Sequence, residues 1–514
     1  MTKAPAGAAR PGATRMKLDL ISNFLAATTI GLLTFIFTPV YVQYLGVEAY
    51  GLIGLLAALT NSLGLLDMSL GQVLSRELAR FTGGGISSQS ARNLVRSVEF
   101  IAGALAVVLV LAITLPADWI AHAWLKPGQI QVAEIDAAIH FMAVIVALRV
   151  LEGLYRGAVT GLHRQTALNM ITVTCALLKA FGALGLFLFV TRSIVDFFAW
   201  QALISALNVA LLIALLYASL PEPNLKSTFS LDELQRVSRF AAGLGLVSLL
   251  AIALAQTDKL LLSKLLPLAA YGEYTLAATL AAAPHILGAP ILQATQPRFA
   301  RAIAASDTLG LVTMFHGAAQ LMSVVAGSAA IVIIVFSGDV LNLWLHNEAL
   351  ALRLAPLVRI MALGSLLNAL VWLPHALQIA HGWTTLIIKV NAVAVALLIP
   401  GVLLVVPRFG AEGAAWLWVL LNLGFFSIQV PVMFRRLLSS EMARWYRSDV
   451  ARPLFAAILI AGSIKLCAPM AGDLWSRLLV LALVSAATLG GAAASAPIVR
   501  AEVQAMLAKW VRFS

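Results

Sequence analysis

The stretch that decides the fold is residues 102–115, which read AGALAVVLVLAITL. This run contains no charged residue, and residues 478–487 form a second run of the same kind. Neither run alternates apolar and polar residues, as the strands of a membrane barrel do. Because a backbone in lipid must satisfy its own hydrogen bonds, the two runs predict transmembrane helices.

The composition extends this prediction to the whole chain of 514 residues, of which 61% are hydrophobic. Charged residues make up 11%, against about a quarter in soluble domains. A span of the membrane needs about 20 mostly apolar residues. The sequence therefore predicts an all-α integral membrane protein with about fourteen spans. We place them at residues 20–43, 49–72, 97–120, 137–160, 167–189, 194–218, 240–262, 270–294, 311–336, 354–378, 385–406, 411–433, 452–468 and 477–497.

The basic residues orient these spans. With the N-terminus in the cytoplasm, 24 of the 35 Lys and Arg residues fall on the inner side and eight on the outer side. This bias follows the positive-inside rule and predicts that both termini are cytoplasmic. It also explains the net charge of +12 without a nucleic-acid partner, because the charge faces anionic membrane lipids. The two cysteines, Cys175 and Cys467, lie in apolar runs and exclude a disulfide framework.

The spans divide the chain into two lobes of six helices and a C-terminal helix pair. The predicted segments are a disordered cytoplasmic tail (1–17), an N-lobe (18–219), a cytoplasmic linker (220–239), a C-lobe (240–435), a cytoplasmic loop (436–451), the helix pair (452–497) and a cytoplasmic tail (498–514). We expect a turn at Ser337-Gly338-Asp339 between the ninth and tenth spans.

An internal repeat supports the two lobes. The tripeptide Ala49-Tyr50-Gly51 at the start of the second span recurs as Ala270-Tyr271-Gly272 at the start of the eighth, 221 residues later. Six plus six helices of equal orientation imply two lobes related by an axis along the membrane normal. Such folds hold their substrate in a cavity between the lobes. A chance tripeptide in an alanine-rich sequence is the alternative.

Three stretches resemble a known family. They are Tyr44–Gly51 with Leu65–Gly71 and Ser75–Glu77, then Gln256–Leu266 with Tyr271–Tyr274, and Gly410–Ala415. They are similar to the polysaccharide transporters, the O-antigen and exopolysaccharide repeat-unit flippases of the multidrug/oligosaccharidyl-lipid/polysaccharide exporter superfamily. Met68-Ser69 stands where the family commonly has Leu-Gly.

The resemblance implies two six-helix lobes that alternate between inward-open and outward-open states. It implies that an undecaprenyl-pyrophosphate-linked glycan is moved to the outer leaflet of the bacterial cytoplasmic (inner) membrane. Polysaccharide polymerase and chain-length proteins are its implied partners. The last two helices would be the extra pair of fourteen-helix members.

Charged residues inside the predicted spans suggest where the substrate binds. Arg149, Glu152 and Arg156 follow one face of the fourth span. Lys179 lies at similar depth on the fifth. A pyrophosphate headgroup stripped of water needs such cations. The alternative is a structural network in which Glu152 neutralises the two arginines.

Other polar residues are weaker candidates. Arg359 is a further cation for the site, unless its side chain reaches up to the outer interface. Asn169, Asn368, Trp372 and His375 are candidate sugar contacts, or bundle-core residues. Asp67, Glu152 and Asp258 are candidates for a gate or for ion coupling.

The sequence shows no catalytic, nucleotide-binding or metal-ligating motif. We therefore predict a transporter and no enzyme, without a bound cofactor or metal, driven by H⁺ or Na⁺ coupling or by consumption of the product outside. A drug/cation antiporter of the same superfamily and a flippase for lipid-linked peptidoglycan precursors stay open as alternatives. A membrane glycosyltransferase is excluded because the longest outer loop, residues 121–136, is too small to carry a catalytic site.

Overall fold

A computed structural model describes the backbone of residues 13–220, 227–237, 256–467 and 473–511. Side chains are described for the same residues except 13–21, 24, 63–70 and 506–511. The described residues are helical almost throughout and contain no strand. The predicted all-α fold class is confirmed.

The long helices are numbered along the chain. They are α1 (13–45), α2 (47–82), α3 (Ser88–Thr114), α4 (Val132–Gly161), α5 (Gln165–Phe189), α6 (Ile194–Ser219), α7 (256–265), α8 (Leu268–Ala281 with Ala283–Ala304), α9 (Thr308–Val335), α10 (Glu348–Ala380), α11 (384–409), α12 (411–437), α13 (Met442–Cys467), α14 (Leu474–Ser495) and α15 (Pro497–Val511).

Two glycines separate helices that would otherwise run on. Gly46 lies between α1 and α2 with a φ of 86°, and Gly410 lies between α11 and α12 with a φ of 58°. Positive φ is favourable for glycine because it has no Cβ. Both glycines belong to the stretches that resemble the family, so these motifs mark changes of helix direction.

The number of membrane spans can be counted in the described part of the chain. Ten continuous helical stretches in it are long and apolar enough to cross a membrane, with α1 and α2 counted as one stretch and α11 and α12 as another. The number is eleven if the two parts of α8, bent by 42°, form one span. The chain is therefore a multi-pass membrane protein. The count of fourteen stays a prediction, because the seventh predicted span, 240–262, lies largely outside the described residues.

Three segments are more helical than the sequence predicts. Residues Ser337–Leu345 form a short helix where we expected a turn, because Leu341 and Trp344 are buried and hold the segment in place. Helix α13 begins inside the predicted loop 436–451, where Trp445 and Val450 join an apolar core. The predicted C-terminal tail carries α15, which packs against other helices through Val499.

The first compact unit comprises Met1–Gly272. Helices α2 and α4 cross in backbone contact, because a Cβ on Gly157 would lie only 2.1 Å from the carbonyl oxygen of Gly71. Gly153, Gly157 and Gly161 follow one another at four-residue intervals, the spacing that lets membrane helices approach closely. This glycine face leaves the charged residues of α4 on a stripe roughly 100° further around the helix.

The second compact unit comprises Glu273–Ser514. In it α13 and α14 pack on α9, where the small residues Ala457, Ala461 and Ala492 meet Ile331 and Phe336 in one core. Lipid is as apolar as these side chains, so close packing rather than exclusion of water holds the helix pair in place. The predicted lobe boundaries stay a prediction, and part of the predicted linker 220–239 lies outside the described residues.

Candidate functional site

The charged residues of α4 form one connected group. Glu152 lies between the two arginines, with its Oε2 at 3.1 Å from Nη1 of Arg149 and its Oε1 at 3.5 Å from Nη1 of Arg156. The spacing of three and four residues places the three side chains along the same stripe of the helix. Arg156 also donates a hydrogen bond of 3.3 Å to Thr172 on α5, so the group extends to the neighbouring helix.

Lys179 on α5 belongs to the same group. It interacts electrostatically with both Glu152 and Arg149, and its side chain is half-buried. Arg149 and Lys179 each lie within about three residues of the centre of their helices, Val132–Gly161 and Gln165–Phe189. That the two cations share one depth in the membrane stays a prediction.

The balance of charge in this group bears on the alternative that Glu152 simply neutralises the two arginines in a structural network. Among the described residues, Glu152 is the one carboxylate within 4.0 Å of Arg149, Arg156 or Lys179. One carboxylate neutralises one of three cations, so a surplus of two positive charges remains. Charge inside a membrane is costly unless it is paired or used for function. An anionic ligand is the partner that this surplus would accept.

Two further predicted residues make hydrogen bonds of their own. Asn169 is buried and donates hydrogen bonds to Ser22 at 2.9 Å and to Asn23 at 2.6 Å, so it joins α5 to α1. Arg359 is exposed in the second unit, where its Nε donates to Ser337 at 2.7 Å. The hydrogen bonds of Asn169 are therefore made to α1, and that of Arg359 to Ser337 within the second unit. Their roles as sugar contact and substrate cation stay predictions.

The second unit holds a cavity of about 330 Å³. It is lined by all three candidate sugar contacts of α10, Asn368, Trp372 and His375, and also by Gln296 and Gln429. Among the described residues, those that line it include no Asp, Glu, Lys or Arg. The cavity therefore offers an aromatic face and hydrogen-bonding groups without charge.

A residue that the sequence did not single out orients this cavity's wall. His285 on α8 stacks on Trp372 with ring centroids 5.0 Å apart, and its Nε2 lies 3.1 Å from Oδ1 of Asn368. Trp372 donates to the same Oδ1 at 3.0 Å, and Asn368 donates to Asn422 at 2.6 Å. This chain of contacts fixes the direction in which the side chains of Asn368 and Trp372 point.

The repeated tripeptides touch each other inside the first unit. A Cβ on Gly51 would lie 2.7 Å from the carbonyl oxygen of Leu268, and one on Gly272 would lie 2.0 Å from that of Val47. Val47 and Leu268 are separated by the same 221 residues as Gly51 and Gly272. A reciprocal contact of this kind is what a two-fold relation between two repeats produces.

The connection between α3 and α4 joins the two motifs. The buried Glu48 accepts hydrogen bonds from the backbone N–H groups of Gly128 at 2.5 Å and Gln129 at 2.8 Å. Two residues earlier, the Nζ of Lys126 donates a hydrogen bond of 3.0 Å to the backbone carbonyl of Leu265. The backbone carbonyl of Lys126 accepts a hydrogen bond of 3.0 Å from the N–H of Leu268. These bonds join the connection between α3 and α4 to the start of α2, the end of α7 and the start of α8.

The candidates for a gate or for ion coupling are only partly described. Oδ1 of Asp258 is buried without a hydrogen-bond partner among the described residues. The side chain of Asp67 lies outside the described part. Arg76, in the same family-like stretch, has its Nε 4.0 Å from Oε1 of Glu77. Glu77 also pairs with Arg80 at 2.9 Å. The gating and coupling roles stay predictions.

A comparison with known protein families decides the family. Residues 18–303 match the model described as "polysaccharide biosynthesis protein", and this match covers more than half of the chain. The chain belongs to this family. The match includes the first two stretches that resembled the polysaccharide transporters, so the resemblance is confirmed at the level of the exporter superfamily.

Two solved structures to which this polysaccharide biosynthesis protein is similar are described as a transporter and a flippase. A multidrug resistance MATE family transporter of the MOP superfamily, in an inward-facing conformation, aligns with a TM-score of 0.62 at 14% identity, covering 80% of this chain and 99% of its own. The lipid II flippase MurJ, in an inward closed conformation, aligns with a TM-score of 0.67 at 11% identity, covering 92% of this chain and 98% of its own. No curated protein matches the sequence. At these identities the likeness shows the fold, that of a membrane transporter.

Proposed function

We propose that this family member is an alternating-access flippase for an undecaprenyl-pyrophosphate-linked oligosaccharide, an O-antigen or exopolysaccharide repeat unit. It would move this lipid from the inner to the outer leaflet of the bacterial cytoplasmic membrane. The single observation that carries the proposal is the surplus of two positive charges formed by Arg149, Arg156 and Lys179 around Glu152. A pyrophosphate diester carries about two negative charges and binds guanidinium and ammonium groups through charge-assisted hydrogen bonds.

The uncharged cavity of the second unit supports the glycan part of this proposal. Trp372 can stack on the apolar face of a sugar ring, because an aromatic ring offers a flat apolar surface with a polar edge. Asn368, Gln296 and Gln429 supply amide groups that both donate and accept hydrogen bonds. Uncharged sugars need this combination.

The proposal is tested by removing the cations. The variants Arg149→Ala and Lys179→Ala are each expected to lower transport roughly 10- to 150-fold, since a hydrogen bond to a charged group contributes about 1.5–3 kcal/mol. Transport is measured as the appearance of the lipid-linked repeat unit on the outer leaflet of proteoliposomes. Arg408→Ala is the matched control, because Arg408 is exposed. Wild-type transport in both variants, with normal insertion, contradicts the cationic site.

Glu152 distinguishes the proposal from the cation antiporter. In an antiporter the carboxylate binds the cationic drug, so Glu152→Gln abolishes transport while Arg149→Ala leaves it intact. In the flippase Arg149→Ala is expected to lower transport more than Glu152→Gln, because Glu152 only neutralises one of the three cations and does not itself bind the substrate. A lipid-linked peptidoglycan precursor flippase, the other alternative, shares the need for cations. Cells that lack the protein separate the two, since an accumulating lipid-linked pool identifies its own glycan.

A further inference from the structure

A buried polar cluster in the second unit is not used by the proposed transport site. His316 and Gln320 on α9 and Asp449 on α13 are each almost completely buried. Glu441, in the turn that joins α12 to α13, is partly exposed, with 21% of its side chain accessible. The cluster therefore links a transmembrane helix to the connection that leads into the C-terminal helix pair.

The contacts of His316 are specific on both sides of its ring. Nδ1 contacts Oδ2 of Asp449, and Nε2 lies 2.9 Å from Oε2 of Glu441. The other oxygen of Asp449 accepts a hydrogen bond of 2.9 Å from Nε2 of Gln320. The Oε1 of Gln320 accepts a hydrogen bond of 2.9 Å from the backbone N–H of Ile498, which lies at the start of α15. Asp449 is thus held by two partners.

This geometry fixes how many protons the cluster holds. An imidazole nitrogen and a carboxylate oxygen attract each other only if one of them carries a proton. Two such contacts need two protons, supplied either by an imidazolium between two carboxylates or by a neutral ring with one protonated carboxyl group. Both arrangements leave the cluster of His316, Asp449 and Glu441 with one negative charge. The neighbouring Arg444, whose Nη1 is 3.5 Å from Oε2 of Glu441, faces that charge.

Loss of one proton breaks one of the two contacts. A ring nitrogen without a proton and a carboxylate oxygen are both acceptors and repel each other. Asp449 is fully buried and keeps its bond from Gln320, whereas Glu441 is partly exposed and can be hydrated. The contact between His316 and Glu441 is therefore the one that opens.

We propose that His316, Asp449 and Glu441 form a proton-binding site that ties the turn between α12 and α13 to α9. With the proton bound, Glu441 stays on His316 and the turn is held. When the proton leaves to the aqueous phase, Glu441 is released and the turn gains mobility. The site binds a proton irrespective of the substrate carried, so it stands independently of the proposed flippase activity.

The test measures the mobility of this turn as a function of pH. A nitroxide spin label is attached through Ser439→Cys, an exposed position two residues before Glu441, in a Cys467→Ser background. The remaining cysteine, Cys175, is buried. Spectra are recorded on the full-length protein in lipid nanodiscs from about pH 5 to about pH 9, around the range in which histidine ordinarily titrates. A label attached through Ala305→Cys, in the exposed turn after α8, is the control.

The label at position 439 is expected to be immobile at acidic pH and to become reversibly mobile at alkaline pH. A single-proton equilibrium shifts the ratio of the two forms about tenfold per pH unit. The isosteric variant Glu441→Gln abolishes this transition and stays immobile, because an amide can donate to a ring nitrogen that lacks a proton. A label that does not respond to pH in the wild type, or that responds equally in Glu441→Gln or at position 305, overturns the proposal.

Discussion

The contact between the two repeated motifs is open to a direct steric test. In Gly272→Ala the new Cβ would lie 2.0 Å from the carbonyl oxygen of Val47, whereas ordinary van der Waals contact begins at 3.4 Å. The starts of α2 and α8 would have to separate by the difference, about 1.4 Å, against dense packing. Overpacking of this kind costs about 1–3 kcal/mol, which corresponds to roughly 5- to 150-fold in an equilibrium constant.

The assay is equilibrium unfolding in mixed detergent and SDS micelles, and the control is Gly103→Ala. Outside the backbone of its own helix, no heavy atom of the described residues lies within 4 Å of a Cβ built on Gly103, in the middle of α3. Alanine is the better helix former by about 1 kcal/mol, so the control is expected to unfold at equal or higher SDS. Gly272→Ala is expected to unfold at lower SDS than the wild type. Equal stability of the two variants refutes the contact between the motifs.

Because Gly51 and Gly272 each face the other motif, the stability of the double variant gives a second, stricter test of the contact. A Cβ on Gly51 would lie 2.7 Å from the carbonyl oxygen of Leu268, so Gly51→Ala is expected to cost less than Gly272→Ala. The same separation of the two helix starts relieves both clashes. The double variant should therefore cost less than the sum of the single variants. Strict additivity would mean that the two glycines act at independent sites.

Two further predictions concern single side chains. Glu48→Gln replaces one accepting oxygen with an amide N–H₂ beside the N–H groups of Gly128 and Gln129, so we expect a loss of about 1.5–3 kcal/mol in the free energy of unfolding. Hydrogen exchange at the amides of Gly128 and Gln129 should accelerate. Unchanged exchange contradicts the role of Glu48. Trp372→Ala removes the aromatic face of the cavity, and we expect it to weaken sugar binding by about 1 kcal/mol, measured as a several-fold weaker affinity for the lipid-linked glycan. The control is Trp416→Ala, because Trp416 is exposed. Equal effects of the two variants would exclude stacking of the sugar on Trp372.

The all-α membrane fold could be predicted because apolar length is a local property. Runs such as residues 102–115 need no tertiary partner to be recognised as spans. A close helix crossing on α4 could also have been predicted, since Gly153, Gly157 and Gly161 follow a known small-residue spacing, but the sequence does not name α2 as the partner. The short helix Ser337–Leu345 could not, because its polar first turn resembles a loop and Leu341 and Trp344 fix it only through tertiary packing.

The charged group of α4 could be predicted from local spacing, whereas the contacts in the cavity of the second unit could not. The arrangement of Arg149, Glu152 and Arg156 follows from helical spacing alone, and the sequence predicted that they share a face. The stacking of His285 on Trp372 joins α8 to α10 over a separation of more than eighty residues, which no local pattern reports. Asn169 shows the limit of a helical wheel, because the wheel gives a direction but not the partners, Ser22 and Asn23, that the side chain meets.

The chemistry of the two units favours one class of substrate over its rivals within the proposed function. The first unit has a surplus of positive charge around Glu152, and the cavity of the second unit is lined by uncharged polar and aromatic residues. A cationic drug would be repelled by the first feature, because like charges destabilise a complex in a medium of low dielectric constant. A peptidoglycan precursor, with its charged peptide, would find no charged partner in the lining of the second. A lipid-linked oligosaccharide of neutral sugars carries its charge on the pyrophosphate alone, so the proposed substrate is compatible with each of the two features taken separately.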